Sequence, residues 1–323
     1  MNEIKFGLQQ PEYNFKPETT FDNLKNIIQT AESNGFESFW VMDHLMQIPY
    51  LDPESKAPML EAWVVLSNLA GVTKKIKLGT LVTCASYRNP AHLAKIGATL
   101  DVLSGGRVIM GIGAGWFEKE YISYGYSFPK YRERVEMLSE AVQIMKKMWT
   151  EESPSFEGKY FRIKDAICNP KPLQKPYPRI LIGGGGLETL KVVAEHADMC
   201  NFFGKPDEIM KKIETVEKYC SEIGRDPDEI TVSKIGGVII AESEDELKSI
   251  LKTKIRPGIR PGFSPEQLEG WLILGTPEQV KEKLQKFIDV GVTYFILNFP
   301  GSDEVKLHLN KIMIFGERVI SEF

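Results

Sequence analysis

The chain has 323 residues, 42% hydrophobic and 26% charged, with a net charge of −4, a composition ordinary for a globular enzyme. It has no basic excess and no Lys- or Arg-rich run interleaved with aromatics, which argues against a nucleic-acid partner, and no stretch approaches the roughly 18 apolar residues of a membrane span. The length suits two average domains or one large α/β barrel.

Strand and helix patterns alternate almost from end to end. The predicted elements are strand Ile4 to Leu8, helix Thr20 to Asn34, strand Ser38 to Met42, helix Glu61 to Val72, an extended run Ile76 to Thr83, and helix Pro90 to Leu103. Strand Val108 to Ile112 and helix Tyr131 to Trp149 follow. The second half continues with strand Ile180 to Ile182, helix Leu187 to Glu195, strand Met199 to Phe202, helix Pro206 to Ile223, strand Ile230 to Ile240 and helix Glu244 to Lys252. Helix Pro277 to Val290, strand Tyr294 to Asn298 and helix Glu304 to Ile320 complete it. Eight strands each followed by a helix predict parallel pairing through right-handed crossovers and, at this count, a closed (β/α)8 TIM barrel forming a single domain over residues 1–323. Two irregular insertions break the rhythm, near 150–178 and near 253–270, and long irregular pieces of this kind serve as functional loops or as linkers. Thr276-Pro277-Glu278 reads as a plain helix start.

In a barrel of this kind the site is built where strands end. The polar and glycine residues at those ends are Gln9 and Gln10, Asp43 and His44, Thr83 and Cys84, Gly113 and Gly115, Gly183 through Gly186, and Asn201. His44 follows the apolar run FWVM and is the one histidine of four outside a helical pattern, so a proton-transfer role near neutral pH falls to it. Glycines 111, 113 and 115 lack the Cβ that would hold a flat ligand away from the backbone. Their Gly-x-Gly-x-Gly spacing falls short of the dinucleotide fingerprint, and Glu118 and Glu120 follow too soon for it. Gly183 to Gly186 precede a helix, where exposed amide N–H groups suit a phosphate. The pairs Lys146-Lys147 and Lys211-Lys212 lie in helical patterns and read as solvated faces. The scattered Cys84, Cys168, Cys200 and Cys220 form no metal-ligand spacing, and the N-terminal residues carry no cationic segment followed by a long apolar one. The expectation is a cytoplasmic protein with reduced thiols and no metal.

With these residues in place, the segments WVMDH, KLGTLVTCASYRNPAHLAK, LDVLSGGRVIMGIGAGWFEKEY and RILIGGGG, in this order, resemble the bacterial luciferase-like superfamily, and most of all its coenzyme F420-dependent oxidoreductase branch. The resemblance implies a luciferase-like barrel binding F420, or alternatively FMN, at its C-terminal mouth. It also implies a cis peptide at Leu81-Val82 behind the ring, Asp43 and His44 beside the reactive ring carbon with Asp43 orienting His44, and Thr83 and Cys84 at the ring edge. Gly113, Ala114, Gly115 and Trp116 would lie on the other side of the ring, and Gly183, Gly184, Gly185 and Gly186 around the phosphate. The implied activity is hydride transfer between the deazaflavin C5 and a small organic substrate, an alcohol, carbonyl or activated alkene, with Trp116 and Phe117 as walls and the second insertion as cover. An FMN-dependent monooxygenase and a flavin- or deazaflavin-binding protein without turnover are the alternatives, and a homodimer is the expected assembly. In the sugar-phosphate dehydrogenase branch a Trp lies four residues beyond the His and a Glu directly follows the Gly-x-Gly turn. Ile48 and Trp116 stand there in this chain, which argues against glucose 6-phosphate as the substrate.

Overall fold

The structure, a computed structural model, describes residues 3–254, 265–300 and 305–323. Its strands are β1 (Lys5–Gln10), β2 (Ser38–Val41), β3 (Lys77–Thr80), β4 (Thr83–Cys84), β5 (Val108–Gly113), β6 (Phe156–Glu157), β7 (Arg162–Ile163), β8 (Ile180–Gly183), β9 (Met199–Phe202), β10 (Thr231–Ile240), β11 (Leu272–Gly275) and β12 (Tyr294–Asn298). The helices are α1 (Thr20–Ser33), α2 (Ala62–Ala70), α3 (Pro90–Ser104), α4 (Glu118–Ser123), α5 (Tyr131–Thr150), α6 (Leu187–His196), α7 (Pro206–Ile223), α8 (Glu244–Lys254), α9 (Pro265–Trp271), α10 (Pro277–Ile288) and α11 (Val305–Arg318).

Eight strands pair in parallel around a closed ring, in the order β1, β2, β3, β5, β8, β9, β10, β12 and back to β1. This is the expected TIM barrel. Alternation along the strands separates two cores. Trp40, Leu81, Ile109, Leu181, Met199, Tyr294 and Ile296 fill the barrel, while Phe39, Val41, Met110, Ile180, Ile182 and Phe295 face the helices. Trp40 is fully buried across the barrel, and a Cβ at Gly7 or Gly79 would come within 2.6 and 2.5 Å of its ring, so those two positions make room for the indole.

Most boundaries agree with the sequence reading to within about two residues, and the Thr276 capping box with Gln279 confirms the helix start there. The differences have local causes. The extended run Ile76 to Thr83 is interrupted, because the chain bulges at Leu81-Val82 between β3 and β4, and that peptide bond is cis. Gly111 serves this packing and not a ligand: a Cβ there would stand 1.8 Å from the Thr80 carbonyl oxygen. The strand β11 pairs in parallel with the end of β10, and neither it nor the short α9 and α4 was expected, since a four-residue apolar run such as LILG carries no decisive periodicity.

The insertion at 150–178 holds the hairpin β6–β7, paired antiparallel and tied to α5 by the Glu140 carboxylate, which accepts the N–H groups of Lys159, Tyr160 and Phe161. Further on, Leu173 and Gln174 donate to the buried Asp101 carboxylate in the last turn of α3, at the end of the barrel where β5 begins. Of the second insertion, residues 255–264, which carry most of the expected cover, lie outside the described residues. Among the described residues no helix is long and apolar enough to cross a membrane.

Candidate functional site

A cleft of about 430 Å³ opens at the C-terminal ends of the strands. Asp43 and His44 after β2, Leu81, Val82 and Cys84 at the bulge, Gly113 to Trp116 after β5, and Gly183 to Gly186 after β8 all line it. Asn201 lines it too, whereas Gln9, Gln10, Phe117 and Thr83 among the expected residues do not; for Thr83 the cause is local. Its hydroxyl, fully buried, donates to Thr80 Oγ1 at 3.0 Å, because strand alternation turns Thr83 away and presents Cys84.

At one end of the cleft sits His44. Asp43 does not orient it, which corrects the implied pairing: both Asp43 oxygens accept from the Arg88 guanidinium, at 2.5 and 2.9 Å, and Arg88 also reaches Glu61 at 2.5 Å. The partner of His44 is Glu120, whose Oε2 stands 2.9 Å from His44 Nδ1. Glu120 lies in the first turn of α4, five residues beyond Gly115, with no exposed surface. Its Oε1 accepts the Leu45 N–H at 2.5 Å and the Met46 N–H at 3.2 Å, and the Tyr87 hydroxyl donates to its Oε2. Burial alone would raise this carboxyl, but the bond and charge of His44, with the bonds from Tyr87 and the Leu45 N–H, outweigh it and hold the group below the ordinary carboxylate range. An ionised carboxylate is acceptor-only, so the proton between the two belongs to His44 Nδ1, leaving Nε2 as the nitrogen that can take or give a proton.

Around His44 the wall is aromatic. Trp116 stacks on Tyr50 at 5.5 Å and on Phe117 at 5.2 Å between centroids, and His44 stands edge-on to both Trp116 and Phe117. In the middle of the cleft Cys84 Sγ lies 2.8 Å from the Tyr121 hydroxyl and 3.2 Å from that of Ser86, and burial pushes its thiol up, so it is a neutral lining group.

At the other end, Gly186 is the N-cap of α6, and Gly184 has a φ of +138° that only glycine adopts readily. Facing these glycines are the Tyr131 hydroxyl, bonded to Thr189 Oγ1 at 2.9 Å, and the Lys212 ammonium, which donates to the Phe203 carbonyl at 2.5 Å. A Cβ at Gly186 would stand 2.2 Å from the Tyr131 oxygen, and one at Gly185 3.0 Å from Lys212 Cε. The glycines are thus what keeps this polar corner open. Lys212 is not part of a solvated face as its helical pattern suggests; burial pulls its ammonium below the usual lysine range. With the α6 N–H groups, it makes a corner fit for an anion.

Glu120, Tyr87, Tyr131, Thr189 and Lys212 escaped the sequence reading. Glu120 stood in view inside FEKEY, yet that run holds three charges, of which α4 exposes Glu118 and Lys119 and buries Glu120. No residue of the 150–178 insertion lines the cleft. Among the described residues no group of three or more His, Cys, Asp or Glu side chains is placed to hold a metal ion.

Residues 5–262 match the family described as luciferase-like monooxygenase. The chain is similar to an F420-dependent glucose-6-phosphate dehydrogenase of Segniliparus rotundus, 27% identical over 94% of each chain. It is also similar to the phthiodiolone/phenolphthiodiolone dimycocerosates ketoreductase of Mycobacterium tuberculosis, 31% identical over 72% of this chain and 64% of the relative. Among solved structures, the coenzyme F420-dependent tetrahydromethanopterin reductase from Methanopyrus kandleri superposes with a TM-score of 0.79 over 100% of both chains at 23% identity, a likeness of fold.

Proposed function

The chain belongs to the luciferase-like monooxygenase family, and within it we propose an F420-dependent oxidoreductase that moves a hydride between a deazaflavin and a carbon of a small organic alcohol or carbonyl compound. The observation that carries this reading is the two-ended cleft: a histidine with one nitrogen committed to a buried carboxylate lies at one end, and a glycine-lined anion corner at the other. Relatives named as an F420-dependent dehydrogenase and as a ketoreductase point the same way.

The residues fit such a cofactor. Gly113 and Gly183 make room for the Val82 side chain that lines the cleft, since a Cβ at either would come within 2.8 and 3.0 Å of its methyl groups. Lys212, Thr189, Tyr131 and the α6 N–H groups would hold a phosphate. When bound, the deazaflavin supplies a hydride acceptor or donor at its C5. His44 Nε2 takes the hydroxyl proton of an alcohol as its carbon gives up a hydride, or returns that proton to a carbonyl oxygen in the reverse direction. Glu120 keeps Nδ1 protonated throughout. Cys84, Leu81 and Val82 give the ring an apolar rest, and Trp116 limits water over the reacting carbon. A cytoplasmic homodimer belongs to the same proposal, and sedimentation velocity tests its assembly.

Anaerobic fluorescence titration of the apoprotein with F420 and with FMN, in parallel, is the test. Much tighter binding of F420 is the expected result. Preference for FMN, with oxygen consumed by the reduced complex, would replace the proposal with a monooxygenase.

A further inference from the structure

The substrate side of the cleft carries information that the cofactor side does not. Trp116 keeps 45% of its surface exposed although Tyr50 and Phe117 both stack against it. Phe117 is itself buried on Met42 and Ile48, with Met46, Tyr50, Leu51 and Met59 packed around them, so the aromatic wall stands on a packed apolar base. A large apolar side chain stacked on its neighbours yet left open beside a proton-transfer group is surface that gains on being covered by something apolar.

Charge, among the described residues, disfavours a phosphorylated occupant at this end. Among the described lining residues Lys212 is the one lysine or arginine, and it stands at the glycine corner. The Arg88 guanidinium is held by two carboxylates, Asp43 and Glu61. Glu120, under His44, is an anion. A phosphate brought here would meet two buried carboxylates with no uncommitted described cation to offset them.

Resting on the hydride-transfer reading above, we infer that the substrate is an uncharged alcohol, or its carbonyl counterpart, whose reacting carbon bears an aromatic group that packs against Trp116. His44 Nε2 would take the hydroxyl proton of such an alcohol, and bound oxidised F420 would supply the acceptor for the hydride leaving its carbon. Trp116 sets specificity and takes no part in the bond changes.

The test compares 1-phenylethanol, 2-propanol and glucose 6-phosphate with oxidised F420, using the wild type, Trp116→Ala and Trp116→Phe. In the wild type, kcat/KM for 1-phenylethanol exceeds that for 2-propanol by about tenfold or more, and Trp116→Ala removes most of that ratio while Trp116→Phe keeps it within roughly threefold. Glucose 6-phosphate or 2-propanol as the better substrate, or a ratio unmoved in Trp116→Ala, would overturn the inference. Failure of the cofactor reading looks different: F420 does not bind. Ligand-observed NMR of acetophenone with the cofactor-free protein then decides alone. Contact weakened in Trp116→Ala supports the aromatic wall, and equal contact in both proteins overturns it.

Discussion

At the glycine end of the cleft the groups that meet an anion come from one βα turn and the helices beside it, and the backbone itself is the main contributor. At the His44 end the decisive contact joins residues 76 positions apart, and it is made entirely by side chains. An anion corner needs only N–H groups, a little space and a cation, which a run of glycines ahead of a helix supplies locally. Fixing a tautomer needs a carboxylate in one place and orientation, stripped of water and saturated with donors, and that takes tertiary structure. The two ends should therefore fail differently when altered: the His44 end in turnover, the glycine end in affinity.

The largest effect expected is that of His44→Ala. Loss of a positioned proton carrier lowers kcat by about 10³-fold, with F420 affinity changed by less than roughly threefold. Steady-state turnover and fluorescence titration on the same preparation check it. Full turnover in this variant would end the proposed mechanism.

Next comes Glu120→Gln, which keeps shape but removes the charge. An amide no longer dictates which His44 nitrogen carries the proton, and kcat falls roughly 10- to 100-fold with cofactor affinity retained. The same variant has a signature in stability. Glu120 sits below its ordinary value of 4.5 in the folded protein, so its contribution is complete above that value and drains away as the pH falls through the folded one. Relative to the wild type, Glu120→Gln thus loses Tm at neutral pH, and the gap closes below pH 4.5. A constant gap from pH 7 to pH 3 would mean that the carboxylate is not what the fold relies on.

How much of this was legible follows the same division. The barrel was legible because apolar strand runs alternate with 3.6-residue patterns, and each signal is local. The glycines after β8 and the histidine after β2 were legible for the same reason, as residues whose type is informative where they stand. What stayed hidden depends on which face a short element turns inward. Thr83 and Cys84 are adjacent, and only the bulge at Leu81-Val82 decides that Cys84 and not Thr83 faces the cleft. Lys211 and Lys212 are adjacent on α7, and only its seat beside β9 decides which one reaches the anion corner. The Asp43-His44 dipeptide invited a local pairing that Arg88 and Glu120 each prevent.

A smaller effect belongs to the glycine end. Gly186→Ala would push a methyl to 2.2 Å from the Tyr131 hydroxyl, and Lys212→Ala removes the corner's cation. Each weakens F420 binding by about tenfold, the worth of one charge-assisted hydrogen bond, and leaves kcat at saturating cofactor within roughly threefold. Titration and turnover together separate this from the His44 end. A kcat loss equal to the affinity loss would erase the contrast between the two ends.

The smallest effect comes from outside the cleft and serves as the control. Lys234, on β10, is fully buried with its side chain turned toward the helices. Its Nζ donates to the Ile235 carbonyl at 3.0 Å and to the Gly270 carbonyl at 3.1 Å, and lies 4.5 Å over the Phe287 ring. Burial pushes its ammonium down to about 7. Because the unfolded chain holds that proton up to its ordinary value of 10.5, folding is penalised most below pH 7 and the penalty lifts as pH rises from about 7 toward 10.5. Lys234→Met has no such proton to lose. From pH 7 to pH 9 the wild type should therefore gain Tm relative to Lys234→Met, by on the order of 2–5 °C, while F420 affinity and kcat stay unchanged in the variant. Thermal unfolding of both proteins across that range checks it. Parallel curves would place a charged Lys234 in the folded protein, and a change in cofactor affinity would show that the two ends of the cleft are not the only parts of the barrel that set it.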